Sequence, residues 1–362
     1  MNKSPDLNAP VLGSCFASPF RTIRKNEIQN YPVGASYIGG IYDGSDKPHT
    51  DSLLKRASEI KQAHDVALVI NRTTAKKITS QAIYGGVIFN HYGHFLLESL
   101  ARTWYLQKSS SDVFFYHPQG NKFSTFNDLS TWQKIILGHL IPDTGRIKII
   151  NEPLVFNELI VPDAGYVIKQ FCADSQANAM SSLGAKITAK YDQDIIEKKI
   201  WLSRSSLTKG AIAGEKKFEG ALRDEGFKVV HPETLSIAEQ IKLFETAEVI
   251  SGFTGSAFHT VLLAKSNGGK LLHFCREQHL NKNYKLCAEA AKFDAEFYNY
   301  FLRFGKIRGV NGNALQDLSK IWNIFYQQGL VQTEKYSDPE MEDNLELLDM
   351  QLKNRAPHLF AK

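Results

Sequence analysis

Two stretches of this 362-residue chain carry side chains whose types and spacing suit chemistry. The first is Asn90-His91-Tyr92-Gly93-His94-Phe95-Leu96-Leu97-Glu98. His94 and Glu98 are four apart, so a helix puts them on one face, and Arg102 extends that row by a turn. An imidazole oriented by a carboxylate is a general base. The same row on a solvent-facing helix is a simple ion pair. The leucines and aromatics on either side argue for a buried helix and hence for a polar cleft wall. Either His94 or Glu98 fits the base, the other then orienting it or binding substrate hydroxyls.

The second stretch is residues 248–265, EVISGFTGSAFHTVLLAK. A short apolar strand breaks at Ser251-Gly252, a second glycine follows at Gly255, and a helical pattern starts at Ser256. Strand, glycine turn and helix aim backbone N–H groups at an anion. The same layout also serves as a plain tight turn with no ligand. His259, one turn further on, either reaches a phosphate or packs between helix and sheet. His231 either stacks on a base or is an ordinary loop histidine.

The elements that position these groups follow from composition and pattern. The length predicts two domains. A hydrophobic content of 43%, a charged content of 22% and a net charge of +5 describe a mildly basic globular chain. That balance suits phosphorylated ligands, and nucleic acid is not an expected partner. Cys15, Cys172, Cys275 and Cys287 show no CxxC spacing, so neither zinc site nor disulfide framework is expected. No signal-peptide pattern opens the chain, and no apolar run nears the ~20 residues of a membrane span. A cytoplasmic location is expected, with at most peripheral contact at the inner membrane.

In the first part, a helix is expected over residues 51–64, a strand over 66–70, an apolar piece with a glycine break over 82–89 and a helix over 94–107. Strands follow at 113–116, 147–150 and 159–161, with helices over 132–140 and 171–195. Residues 190–194 read as a linker. Beyond it the alternation is regular: strand 199–202, helix 215–225, strand 228–230, a capping box Ser236 to Glu239 opening a helix, then the glycine stretch and a strand at 271–274. In a parallel sheet, ligands sit beyond the carboxyl ends of the strands. Ser203-Arg204, His231-Pro232-Glu233 and Gly252 to Ser256 occupy those ends. Arginine and helix start suit the phosphates of a nucleoside diphosphate, and Glu233 suits ribose hydroxyls. Neither GxGxxG nor the P-loop pattern is present, which disfavours a dehydrogenase or triphosphatase. Residues 314–326 and 340–352 read as helices, the second opening on a solvated acidic run.

Three blocks resemble glycosyltransferase family 61. They are Gly85-Gly86 through Glu98 with Arg102 and Trp104; Trp201-Leu202-Ser203-Arg204-Ser205; and Gly226-Phe227 through Pro232-Glu233, Leu235-Ser236 and Glu239-Gln240 to Gly252 and Gly255-Ser256-Ala257. The resemblance implies an α/β protein of GT-B type, two Rossmann-like domains facing each other across a cleft. Residues 1–190 would be the acceptor-side domain and 191–312 the nucleotide-sugar domain. Helices in 313–362 would return toward the first domain.

The resemblance also implies an inverting, metal-independent transferase. Its donor would be a UDP-linked nucleotide sugar, and its acceptor a glycan or lipid-linked glycan in bacterial surface polysaccharide synthesis. No separate cofactor is expected. The sequence offers no DxD pair at a strand end; Asp192-Gln193-Asp194 has that form but reads as a solvated turn beside lysines. Arg204, Lys209 and the Gly255-Ser256 helix start would stabilise the leaving diphosphate, while Asn90, His91 and Arg102 would face the acceptor. Two positions depart from the family's pattern. Thr254 stands where many relatives carry histidine, and Lys209 where arginine is common. An epimerase-like nucleotide-sugar enzyme and a non-catalytic carbohydrate-binding relative are the alternatives.

Overall fold

The computed structural model describes residues 4–360 apart from 58, 65–67, 69, 120–122, 192–197 and 310. The chain divides into two compact units, Met1–Ala189 and Lys190–Lys362. Most of the strand expected over 66–70, and all of Asp192-Gln193-Asp194, lie outside the described residues.

Strands of the first unit are β1 (Val11–Thr22), β2 (Tyr37–Tyr42), β3 (Lys55–Arg56), β4 (Glu59–Ile60), β5 (Gln62–Ala63), β6 (Lys76–Ile78), β7 (Ala82–Val87), β8 (Asp112–Tyr116), β9 (Ile147–Ile149) and β10 (Leu154–Ile160), followed by the small pair β11 (Tyr166–Val167) and β12 (Phe171–Cys172). The main sheet runs β5-β2-β1-β10-β7-β8-β9, with β6 also on β10. Its half from β10 to β9 is parallel. Long β1 is antiparallel to both β2 and β10, so the sheet is mixed rather than wholly doubly wound. Alternate side chains of these strands, among them Phe20, Tyr84, Tyr116 and Phe156, bury one aromatic core.

Two expectations for this unit are corrected. Among the described residues, 51–64 form no long helix. After a single 3-10 turn, β3 pairs with β4 and β5 joins β2, so sheet pairing overrides the local helical composition. The helix over 94–107 is interrupted. A first turn, α1 (Tyr92–His94), passes into a π-helical turn over Phe95–Ser99 and breaks at Arg102 before α2 (Thr103–Leu106). Helices α3 (Thr131–Leu140) and α4 (Asp174–Thr188) are continuous.

The second unit opens with β13 (Lys199–Leu202), α5 (Glu215–Asp224), β14 (Lys228–Val230), α6 (Ile237–Thr246), β15 (Val249–Phe253), β16 (Lys270–Phe274), α7 (Lys282–Ala290) and β17 (Asp294–Tyr298). The predicted capping box is present at the start of α6: Glu239 N–H donates to Ser236 Oγ and Ser236 N–H to Glu239 Oε2. The sheet order is β14-β13-β15-β16-β17, and every pairing is parallel. The chain therefore moves outward in opposite directions from β13 and β15. That point opens a crevice beyond the strands' carboxyl ends.

Residues 313–362, set apart above as a tail, supply this unit's own core. The first of them form β19 (Ala314–Gln316), which pairs with β18 (Phe301–Phe304) and does not begin a helix. Then α8 (Leu318–Gln327) packs Trp322 and Phe325 with Trp201, Phe218 and Phe274, ahead of α9 (Met341–Arg355). No helix among the described residues is long and apolar enough to cross a membrane.

Candidate active site

In the first unit the π-turn sets the geometry. Leu100 N–H reaches back five residues to Phe95 O at 3.1 Å. Such turns widen a helix locally and are frequent at functional sites. His94 Nδ1 and Glu98 Oε2 stand 2.6 Å apart on this turn. A carboxylate only accepts, so Nδ1 carries the proton and donates. The neutral imidazole then keeps its lone pair on Nε2. The Glu98 side chain is 3% exposed, while that of His94 is 40% exposed.

Glu98 is also gripped by Arg56, whose Nε donates to Oε1 at 2.6 Å and Nη2 to Oε2 at 2.9 Å. This bidentate clamp fixes the carboxylate's plane. The geometry distinguishes the two candidate bases. Glu98 orients, and His94 has the accessible nitrogen. Arg56 was missed because it lies 42 residues upstream, on a segment read as helix.

The neighbours are held in turn. Gln119 N–H donates to His117 Nδ1 at 3.0 Å, which leaves His117 Nε2 to donate to Asn90 Oδ1 at 3.2 Å. Burial pushes the His117 pKa down to about 4, so this relay stays neutral. With its oxygen engaged, Asn90 keeps its amide NH₂ for other partners. The His91 ring centroid lies 5.2 Å from that of His94, and its pKa is lowered by desolvation and then by His94.

Arg102 does not continue the His94–Glu98 row. The π-turn shifts the register, and Arg102 turns inward, 6% exposed. Its Nε donates to Pro162 O at 2.8 Å and its guanidinium lies 4.9 Å over the Tyr84 ring. Gly86, at φ +102°, makes room: a Cβ there would stand 2.8 Å from Arg102 Nη1.

In the second unit the predicted residues gather at the crevice. Arg204 follows β13; its Nε donates to Gly210 O at 3.1 Å and its N–H to Glu215 Oε1 at 3.0 Å. A Cβ on Gly255 would meet Arg204 Nη1 at 2.4 Å, so the glycine lets the guanidinium lie against the start of the next element. That element is a 3-10 helix, Ser256–Leu263, with Gly255 as its N-cap. Its first N–H groups lack intrahelical acceptors, as at any helix start.

Arg276, just after β16, completes the group. Its Nη1 donates to the same Gly210 O at 3.2 Å. Burial, and then the Arg276 charge, push the Arg204 pKa down to about 10. Glu215 beneath them offers little compensation, since burial raises its pKa to about 8. Thr254 Oγ1 accepts Arg276 N–H at 3.2 Å, so the residue that departs from the family pattern positions an arginine. Arg276 was legible in principle: the rule applied to three strand ends was not carried to the fourth.

The remaining residues divide. Ser203 Oγ donates to buried Glu219 at 2.5 Å and supports the loop. Glu233, on a 3-10 turn after β14, lies 3.8 Å from His231 and is close enough to act electrostatically on Arg204. Lys209 is exposed on the 203–210 loop. A Cβ on Gly252 would stand 2.7 Å from Leu202 O, so this glycine serves strand packing. His259 is buried, stacked on Tyr284 at 5.0 Å and 3.6 Å from Cys287 Sγ. Among the described residues no group of three or more His, Cys, Asp or Glu is arranged to hold a metal ion.

A parallel sheet with paired guanidiniums at its switch point is an arrangement suited to an anionic, phosphorylated ligand. Residues 92–271 match the family model Glycosyltransferase 61, a span just under half the chain that contains His94, Glu98, Arg204, Thr254 and Gly255. The match supports a glycosyltransferase, and with it a nucleotide-sugar donor and a glycan acceptor in general terms. No match is found among curated proteins.

Proposed function

We propose that the protein is an inverting, metal-independent glycosyltransferase of the GT-B type. It moves a sugar from a UDP-linked donor to a hydroxyl of a glycan or lipid-linked glycan during bacterial surface polysaccharide synthesis. It works in the cytoplasm, with at most peripheral contact at the inner membrane. The observation that carries the reading is the convergence of Arg204 and Arg276 on Gly210 O beside the Gly255-Ser256 helix start. Two like charges held together in a partly buried crevice favour a polyanion, and a leaving diphosphate is one.

In this mechanism His94 Nε2 takes the acceptor hydroxyl proton. The oxygen attacks the anomeric carbon from the side opposite the diphosphate, and the carbon–oxygen bond to the diphosphate breaks with its electron pair. Configuration at that carbon inverts. Glu98 stabilises the imidazolium, and Arg56 keeps Glu98 in place. Arg204, Arg276, Lys209 and the N–H groups at Ser256 receive the negative charge. Glu233 binds ribose hydroxyls. Asn90, His91 and Arg102 meet the acceptor.

Incubation with a panel of nucleotide sugars tests the reading. Slow hydrolysis releasing free nucleotide is expected. Isomerised sugar without release would make the protein an epimerase-like enzyme, and no turnover of any donor would make it a non-catalytic binder.

A further inference from the structure

The first unit carries a solvent-open cavity of about 320 Å³ whose lining includes Tyr84, Glu98, Arg102 and Asp163. Two of these groups are left unsatisfied. Arg102 is anchored through Nε on Pro162 O and by its stack on Tyr84, yet Nη1 and Nη2 donate no hydrogen bond among the described residues. Tyr84 as a whole residue is 1% exposed, and its hydroxyl also has no hydrogen-bond partner among the described residues. Arg102 keeps donors beyond its bond to Pro162 O, and the Tyr84 hydroxyl is likewise unused within the fold. Both line the same space, so a ligand entering it would satisfy both.

The wall restricts what that ligand is. Alongside Arg102 and Lys55 it carries the carboxylates of Asp6, Asp51, Asp163 and Glu98. Asp51 pairs with Lys55 at 3.4 Å, Asp163 accepts Asn8 N–H at 2.8 Å, and Glu98 is clamped by Arg56. A further negative charge would face four carboxylates against three cations, Arg102, Lys55 and the Arg56 that holds Glu98. A neutral polyhydroxyl ligand meets both kinds of wall: its oxygens accept from Arg102 and its hydroxyls donate to the carboxylates. Phe171, which is half-buried in the lining, supplies apolar surface for its less polar side.

We infer that this cavity is a saccharide subsite that holds one uncharged sugar unit of the acceptor, with Arg102 and Tyr84 as its fixed hydrogen-bonding groups. The inference rests on the transferase reading and names the acceptor's chemistry. Because Glu98 belongs both to the cavity wall and to the His94 pair, a sugar bound here is seated one residue away from the base.

Saturation-transfer NMR and calorimetry on the full chain test it, with neutral mono- and disaccharides and the corresponding uronic acids as probes. Neutral sugars should bind, and uronic acids about tenfold more weakly. Arg102→Lys keeps the charge but loses the planar fork, and should lower neutral-sugar affinity about tenfold. Tyr84→Phe removes a hydroxyl that makes no bond in the fold, so it should leave thermal stability unchanged or higher while weakening sugar binding. A Tyr84→Phe protein that is folded and binds sugars as before would overturn the inference, as would tighter binding of uronic acids. Nucleoside diphosphate binding is measured in parallel. Diphosphate binding without any saccharide binding would defeat the subsite alone. Absence of both would defeat the transferase reading and the subsite with it.

Discussion

Arg204 and Arg276 donate to one carbonyl oxygen, that of Gly210, from 3.1 and 3.2 Å. The oxygen's two lone pairs let both guanidiniums bind it, and Arg276 Nη2 also lies 3.6 Å from the Glu277 carboxylate. Thr254 holds the second arginine through its backbone, so the pair is fixed before any ligand arrives.

Truncation of either arginine should therefore weaken nucleoside diphosphate binding. For Arg204→Ala the expected loss is about 1.5–3 kcal/mol, the range for hydrogen bonds to charged groups. Arg276→Ala should cost a similar amount, and the double variant should lose less than the sum, because each removal also relieves repulsion. Calorimetry with UDP reads all three; unchanged affinity in Arg276→Ala would take that residue out of the site.

His94→Ala should lower turnover by about 10²–10⁴-fold while donor affinity stays within about threefold. Glu98→Gln should give a comparable loss, and the double variant little more, since a base and its orienting partner act as a unit. Arg56→Ala should fall between wild type and Glu98→Gln, with Arg56→Lys recovering part of the loss. Single-turnover transfer paired with donor binding separates these effects. Full activity in His94→Ala would leave the pair a structural one.

Turnover should persist in EDTA, because two arginines and a helix start already supply the positive charge a leaving diphosphate needs. Abolition by EDTA with recovery on adding manganese or magnesium would contradict the metal-independent mechanism.

Glu215 makes stability depend on pH. Its carboxyl loses its proton near 4.5 when unfolded but holds it to about 8 when folded. Between those values the unfolded chain binds fewer protons, so stability should decline as pH rises from about 4.5 to 8. Glu215→Gln should flatten that slope in the second unit's melting transition. An unaltered slope would mean that Glu215 ionises normally in the fold.

The second unit was largely legible. β13 and β14 occur at their expected bounds because each reads as a short apolar run after a lysine, between turn signals. The first unit was less so. Its central pairing joins Val11 to Ile160, and no local pattern announces a contact of that span. The same distance problem hid Arg56, although a buried Glu98 implies a cationic partner somewhere. The His94–Glu98 contact itself was readable from spacing; the π-turn that redirects Arg102 was not.

Gly255 and Arg204 are not independent positions. The hydrogen of the glycine occupies the place where any larger side chain would strike Nη1 of the arginine. Drift at one must follow drift at the other. In a library randomised at both, a methyl group at position 255 should be recovered chiefly with a shorter side chain at 204, and an intact arginine chiefly with glycine. The two sites would then vary as a single unit of inheritance, although half a hundred residues separate them along the chain.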